Sequence, residues 1–308
     1  VFDGSQQTMP KLLQKVGYQT AIIGKWHLVS TPTGFDFWNI VPGQGDYYNP
    51  TFINMDNSHV TEKGYLTNIV TDKAIDWMEH KRDRSKPFAL FIHHKACHRD
   101  WLPEMKYLHE YEDKTFALPD NFYDNYEGRE AAKTQEMEIA NNDHMDIVYD
   151  VKMDRPGLKT RLSDSYHNMV QRLDSTDLNA YNAFYYALSA DFYSRNLKGK
   201  ELAEFKYQRY MRDYAKVLKS LDDNVGRTLD YLEKAGLLDS TLVVYTSDQG
   251  FYMGEHGWFD KRWMYEESIQ MPCLISYPNG IKKGQLPEEL AINADIAPTL
   301  LDFAGIEI

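Results

Sequence analysis

Gly17-Tyr-Gln-Thr-Ala-Ile-Ile-Gly-Lys-Trp-His-Leu28 is the stretch whose reading decides the fold. A short apolar run at residues 20–24 breaks directly into Lys25, Trp26 and His27, and such a run bounded by glycine reads as a buried strand of a parallel sheet. The pattern recurs twice. Phe88-Ala-Leu-Phe-Ile92 empties into His93-His-Lys-Ala-Cys-His-Arg99, and Leu242-Val-Val-Tyr-Thr246 empties into Ser247-Asp-Gln-Gly250, followed by Gly254-Glu-His-Gly-Trp-Phe-Asp-Lys261. In open α/β sheets, ligands bind outside the carboxyl ends of the strands. Three strand ends delivering Lys, His, Asp and Gln therefore describe one anion-handling, metal-dependent site.

Composition narrows the function classes. With 308 residues, 43% hydrophobic and 26% charged, the chain can bury one large α/β core. A formal net charge of -12 argues against a nucleic acid or an anionic membrane as partner. An anionic substrate would have to be captured by a local cationic pocket. The aromatic share of 14%, with 22 Tyr, suits sugar binding, although core packing is the commoner use of such rings. No stretch approaches transmembrane length and no signal peptide is visible. The chain opens Val1-Phe-Asp3, so a targeting segment could have been lost. Two cysteines, Cys97 and Cys273, exclude a disulfide framework.

Helical spacing predicts a helix over 5–17 with Pro10 in its first turn, and a second over 67–80. Residues 29–66, rich in Gly, Pro, Asn and aromatics, read as a long loop. Residues 103–200 show no strand signal and read as a helical, loop-rich insertion. A long helix follows over 201–234, with Tyr214, Leu218, Leu221, Val225, Leu229 and Leu232 as its apolar stripe and Gly236 as its stop. Residues 273–277 form a fourth strand, and Asp295 caps a last helix over 296–304. Strand–helix alternation makes a mostly parallel α/β sheet flanked by helices the expected fold.

Asp248 and Gln249 offer a carboxylate and an amide oxygen, the donors chosen by hard cations such as Ca²⁺. A turn closed by the Asp side chain is an equal reading of that dipeptide. Lys25, His27, His98 and Lys261 together could surround a tetrahedral oxyanion: lysine supplies a compact charge, and histidine can protonate a leaving group. Singly, each lysine reads as a solvated surface charge. His59, His80, His93, His94, His109, His144 and His167 read as packing residues. His256, between two glycines near Lys261, reads equally well either way. A zinc site at His93-His94-x-x-x-His98 is disfavoured, because a strand end does not present i, i+4 ligands on one face.

Residues 17–28 resemble the G-Y-x-T-x-x-x-G-K-W-H-L signature of the type I sulfatases of the alkaline-phosphatase-like superfamily. His94-Lys-Ala-Cys-His-Arg99 is similar to their A-P-H motif, with Cys97 in place of the proline. Ser247-Asp-Gln-Gly250 with Gly254-Glu-His-Gly257 and Lys261 is similar to a further site element. Asp295-Ile-Ala-Pro-Thr-Leu-Leu-Asp-Phe-Ala-Gly305 resembles a family helix. The resemblance implies hydrolysis of sulfate esters on glycans, with Ca²⁺ and a formylglycine nucleophile made from Cys or Ser in a C/S-x-P/A-x-R motif. By matching positions, Asp248 and Gln249 would bind calcium, and Lys25 and Lys261 would hold sulfate oxygens. His98 would protonate the departing alcohol, and His27 would orient the nucleophile. His256, Arg262 and Arg99 are the candidates for contacting the sugar. The 43–50 loop and the 259–263 run look closest to members acting on N-acetylglucosamine-6-sulfate, and the family implies a periplasmic, secreted or lysosomal setting.

No C/S-x-P/A-x-R motif is present, nor is the paired-aspartate strand of the family's calcium site. The expectation is therefore a partial sulfatase catalytic domain over 1–308, incomplete at both ends, without the formylglycine motif or the small C-terminal subdomain, and inactive by itself. A non-catalytic sulfoglycan-binding relative and a phosphoester or phosphonate hydrolase of the same superfamily remain alternatives.

Overall fold

The computed structural model describes residues 1–307 and divides into two compact units. One comprises Val1–Lys95, Leu221–Val243 and the chain from Ile275 on; the other comprises Ala96–Ser220 and Val244–Leu274.

The first unit is built on a sheet. Helix α1 (Met9–Lys15) leads into β1 (Gln19–Trp26), then β2 (Phe37–Pro42), β3 (Thr51–Ile53), β4 (His59–Thr61), α2 (Leu66–Asp76) and β5 (Phe88–His93). The strand order is β4-β3-β2-β1-β5. β1 pairs in parallel with β2 and with β5, while the β2–β3 and β3–β4 pairs are antiparallel. Both faces of β1 are covered, and its side chains alternate between them as strand geometry requires. Ala21 and Ile23 join Val70, Ala74 and Trp77 of the α2 side in one core. Ile22 joins Trp38 and Ile40 in a second core on the opposite face.

Two expectations for this unit need correction. The first helix starts at Met9, so residues 5–8 lie outside it. The supposed loop at 29–66 contains three strands, two of them only three residues long. Their apolar content is broken by polar residues that find partners distant in sequence. Buried Asn39 in β2, for example, donates to the Asn54 side chain at 2.5 Å.

In the second unit, residues 103–200 contain α3 (Glu130–Lys133), α4 (Ser163–Val170) and α5 (Ser175–Arg195), with no strand among the described residues. Helix α6 (Gly199–Lys234) follows, and its last turns belong to the first unit, where Leu232 enters the α2 core. Strand β6 (Val243–Thr246), the short pair β7 (Tyr252–Met253) and β8 (Phe259–Asp260), α7 (Glu266–Ile269) and β9 (Cys273–Ser276) come next. β6 and β9 form a two-stranded sheet of their own, as do antiparallel β7 and β8. The last helix, α8 (Asn293–Phe303), belongs to the first unit and differs from expectation at its start. Asp295 is not the cap; it lies inside the first turn and accepts the Ile292 N–H at 2.8 Å.

The buried face of α6 mixes apolar residues, Leu221 and Leu232 of the expected stripe among them, with an unexpected set of polar ones. Leu218 of the expected stripe is exposed, whereas Lys206, Arg209, Asp213, Lys216 and Ser220 are buried. Arg209 bridges Glu112 (2.6 Å) and Asp213 (2.7 Å); Lys216 reaches Glu112 (2.6 Å) and Lys152 reaches Asp213 (3.2 Å). Tyr185 also donates to Asp213 at 3.1 Å. Burial would raise the Asp213 carboxyl, but the charges of Lys152, Arg209 and Lys216 outweigh it and hold the group well below the usual carboxylate range.

Replacing Asp213 leaves buried Lys152 without a carboxylate and takes one of two from Arg209 and Lys216, so Asp213→Asn is expected to cost about 3–5 kcal/mol in urea unfolding at neutral pH. Because the folded carboxyl is depressed, its contribution is complete above the unfolded value of about 3.9 and is lost as pH falls through the folded one. The gap between wild type and D213N should therefore narrow below about pH 4. A gap that stays constant into acid would contradict this account.

Candidate active site

In the first unit, β1 ends at Lys25 and Trp26 between its two parallel neighbours. Gly24 faces His93 across the β1–β5 ladder, with φ +112. A Cβ there would collide with the His93 carbonyl oxygen, so only glycine lets the two backbones approach in this register. Lys25 is half-buried and its carbonyl faces His93 Nδ1 at 3.3 Å. Trp26 donates its indole N–H to Ser30 O at 2.5 Å, which fixes the turn that carries His27. His27 is exposed, and its Nδ1 lies 3.1 Å from the amide nitrogen of Gln44, in the loop after β2.

Past the end of β5 comes a pair that the sequence reading assigned to packing or passed over. Burial, with His93 beside it, pushes His94 down to about 4, so its ring is neutral at ordinary pH. Lys95 is buried with its ammonium 4.7 Å from the Tyr47 ring centre. The carboxyl ends of three adjacent parallel strands thus carry Lys25, His27, Gln44, His94 and Lys95.

The other candidates lie in the second unit. His98 directs Nδ1 toward the carbonyl of Arg99 at 3.3 Å. Arg99 is engaged by buried Asp150 through two hydrogen bonds of 2.7 and 2.6 Å and lies over Phe259. The guanidinium therefore braces the loop that carries His98. Burial pushes the Cys97 thiol up to about 12 against an opposing hydrogen bond from Tyr214, so it stays protonated and is a poor nucleophile.

Asp248 is exposed just beyond β6, within 3.4 Å of the Ser247 hydroxyl, and Gln249 is half-buried. Lys261 follows β8, 5.7 Å above the Phe251 ring. Exposed Arg262 lies 3.5 Å from the Asp260 carboxylate. His256 sits in a left-handed backbone conformation (φ 57) between β7 and β8. Its Nδ1 is 2.7 Å from Asp124, and the Tyr126 hydroxyl donates to its carbonyl at 2.6 Å. Desolvation opposes ionisation of Asp124, but hydrogen bonds from Arg129, His256 and the Tyr126 N–H bring it down to about 2.

Gln44, Lys95, Asp124, Asp150 and Asp260 went unnoticed in the sequence. Each acts on a residue of the candidate set or stands beside one, and none carries a local signal. Asp124 and His256, for instance, are 132 positions apart. Asp248 and Gln249 suit Ca²⁺ in donor type, since both offer hard oxygen. They do not suit it in number, because calcium takes about six to eight ligands. Among the described residues no group of three or more His, Cys, Asp or Glu could hold a metal ion.

Comparison with known proteins places this geometry. The Sulfatase family model matches residues 2–306. An N-acetylglucosamine-6-O-sulfatase of Bacteroides thetaiotaomicron is 48% identical over 312 residues, covering 100% of this chain and 55% of that protein. The human N-acetylglucosamine-6-sulfatase is 28% identical over 319 residues, covering 98% of this chain and 46% of that enzyme. A solved structure, described as bound to its substrate D-glucosamine-2-N,6-O-disulfate, superimposes with a TM-score of 0.94 at 48% identity and covers 100% of this chain and 63% of its own. A phosphonate monoester hydrolase from Silicibacter pomeroyi shares the fold alone, with a TM-score of 0.56 at 17% identity. The chain spans about half the length of the curated relatives it matches. With the family model matched from residue 2 to residue 306, the chain belongs to the sulfatase family.

Proposed function

We propose that this chain carries much of the catalytic machinery of a sulfatase that hydrolyses sulfate esters on glycans, with the 6-O-sulfate of N-acetylglucosamine as the preferred ester. The observation that carries the reading is the G-K-W-H segment at the carboxyl end of β1, flanked by the ends of two parallel strands. This is where an open α/β sheet binds its ligand. The 48% identity to an N-acetylglucosamine-6-O-sulfatase supports the choice of ester.

Lys25 and Lys261 are assigned to the sulfate oxygens, where a compact ammonium offsets charge that builds up as the ester bond breaks. His98 delivers a proton to the departing alcohol oxygen, and His27 orients the nucleophile from the Nε2 side of its ring. His256 and Arg262 are assigned to the sugar, and Arg99 to positioning His98. The family's calcium and formylglycine would supply electrophilic assistance and the nucleophile. Asp248 and Gln249 are the calcium ligands contributed by this chain, with the remaining ligands coming from elsewhere.

In the full-length protein, His98→Ala should lower kcat by about 10²–10⁴-fold on an alkyl sulfate such as N-acetylglucosamine 6-sulfate. The loss should be much smaller on an aryl sulfate, whose leaving group needs no proton. Equal losses on both esters would remove His98 from the acid role. Robust hydrolysis of the matched phosphate ester, with none of the sulfate, would favour the phosphoester alternative.

Calcium should raise the melting temperature of the full-length protein in proportion to occupancy. Asp248→Asn should lose most of that gain, while Gln249→Asn should keep more than Gln249→Leu, because asparagine retains an oxygen donor. The 308-residue chain alone should gain little from calcium and show negligible turnover of a sulfate ester. A calcium response equal to that of the full-length protein would withdraw the metal assignment.

A further inference from the structure

A cleft in the second unit lies outside the candidate site, on the helical segment that the proposed chemistry does not use. Its volume is about 600 Å³, within the range of small-molecule sites. One wall is a single face of α5, because Tyr186, Ser189, Ala190 and Tyr193 recur at i, i+3, i+4 and i+7. The other wall is the loop segment bearing Asp154 and Arg155.

The two tyrosines differ in how they are held. The Tyr193 hydroxyl donates to the Met153 carbonyl at 2.8 Å, and the Arg155 guanidinium lies 4.2 Å from its ring centre. Tyr186 is held by no such anchor and is 59% exposed, an unusual state for so large an aromatic ring on a helix face. At about 1.5 Å per residue the two positions lie about 10 Å apart along the helix, room for two consecutive pyranose rings. The Asp154 carboxylate is turned to His167, 3.2 Å away, so the cation offered beside the aromatic wall is Arg155.

We infer that this cleft is a second carbohydrate subsite, which binds a stretch of sulfated glycan away from the ester being cut. A pyranose ring stacks its C–H face on Tyr186, and a sulfate group pairs with Arg155. The ligand class rests on the reading of the protein as a glycan sulfatase. Within that reading, charge complementarity favours a sulfated chain over a neutral one. Capture of the polymer here would raise the local concentration of substrate ends, in the way that any second binding module converts a later encounter into an intramolecular one.

The test uses the full-length protein with three probes: a heparin-derived hexasaccharide, the same hexasaccharide after chemical desulfation, and monomeric N-acetylglucosamine 6-sulfate. Calorimetry should show Tyr186→Ala weakening the sulfated hexasaccharide about tenfold, in line with loss of one aromatic contact. Arg155→Gln, an exposed change with no demand on folding, should weaken it and flatten its salt dependence. The kcat/KM on the monomer should be unchanged in both variants. Undiminished hexasaccharide affinity in both variants, or equal affinity for the desulfated chain, would overturn the inference. Failure of the wild type to hydrolyse the monomer, with variant-sensitive hexasaccharide binding intact, would sink the catalytic reading and leave the subsite standing.

Discussion

The close approach of β1 and β5 at Gly24 is the constraint on which the first unit's chemistry depends. Main-chain pairing alone would tolerate many residues there, but the His93 carbonyl occupies the space a side chain would need. Register then follows. With Gly24 opposite His93, the last turn of β1 and the exit of β5 finish side by side, and Lys25 is placed next to the His93 ring. A one-residue slip would send every β1 side chain to the other face and exchange the two cores that Ala21, Ile23 and Ile22 now separate. Glycine, register and the placement of Lys25 are thus one requirement.

What was legible in the sequence follows from how local each signal is. β1 and β5 were readable because each is a short apolar run closed by a change of polarity within its own length. β3 and β4 were not, since three residues carry too little pattern and their stability comes from neighbours. Helix α6 was readable as a helix but only in part as to its buried face, which includes Leu221 and Leu232 of the expected stripe. Hydrophobic periodicity marks Leu218 as interior, yet the interior face carries Arg209, Asp213 and Lys216, each made tolerable by a partner distant in sequence.

The same limit shaped the reading of the site. The motif residues announced themselves, while the groups that orient them did not. Gln44 is 17 positions from His27, and Asp150 is 51 from Arg99. Such pairs exist only once the fold has formed. Arg99 shows the consequence: its charge suggested a substrate contact, and nothing local revealed that it donates two hydrogen bonds to the buried Asp150 carboxylate.

These partners also fix which ring nitrogen carries the proton, and they do so in opposite senses. The Gln44 amide donates to Nδ1 of His27, which leaves the neutral ring with its proton on Nε2. At His98 an acceptor, the Arg99 carbonyl, faces Nδ1, so the neutral ring carries its proton there. His256 is built like His98, with Asp124 accepting from Nδ1 and the Asn121 amide lying near the ring. His27 is therefore set to donate through Nε2, whereas the neutral His98 ring presents Nε2 as an acceptor. The difference between His27 and the other two histidines follows from which of their neighbours donate and which accept.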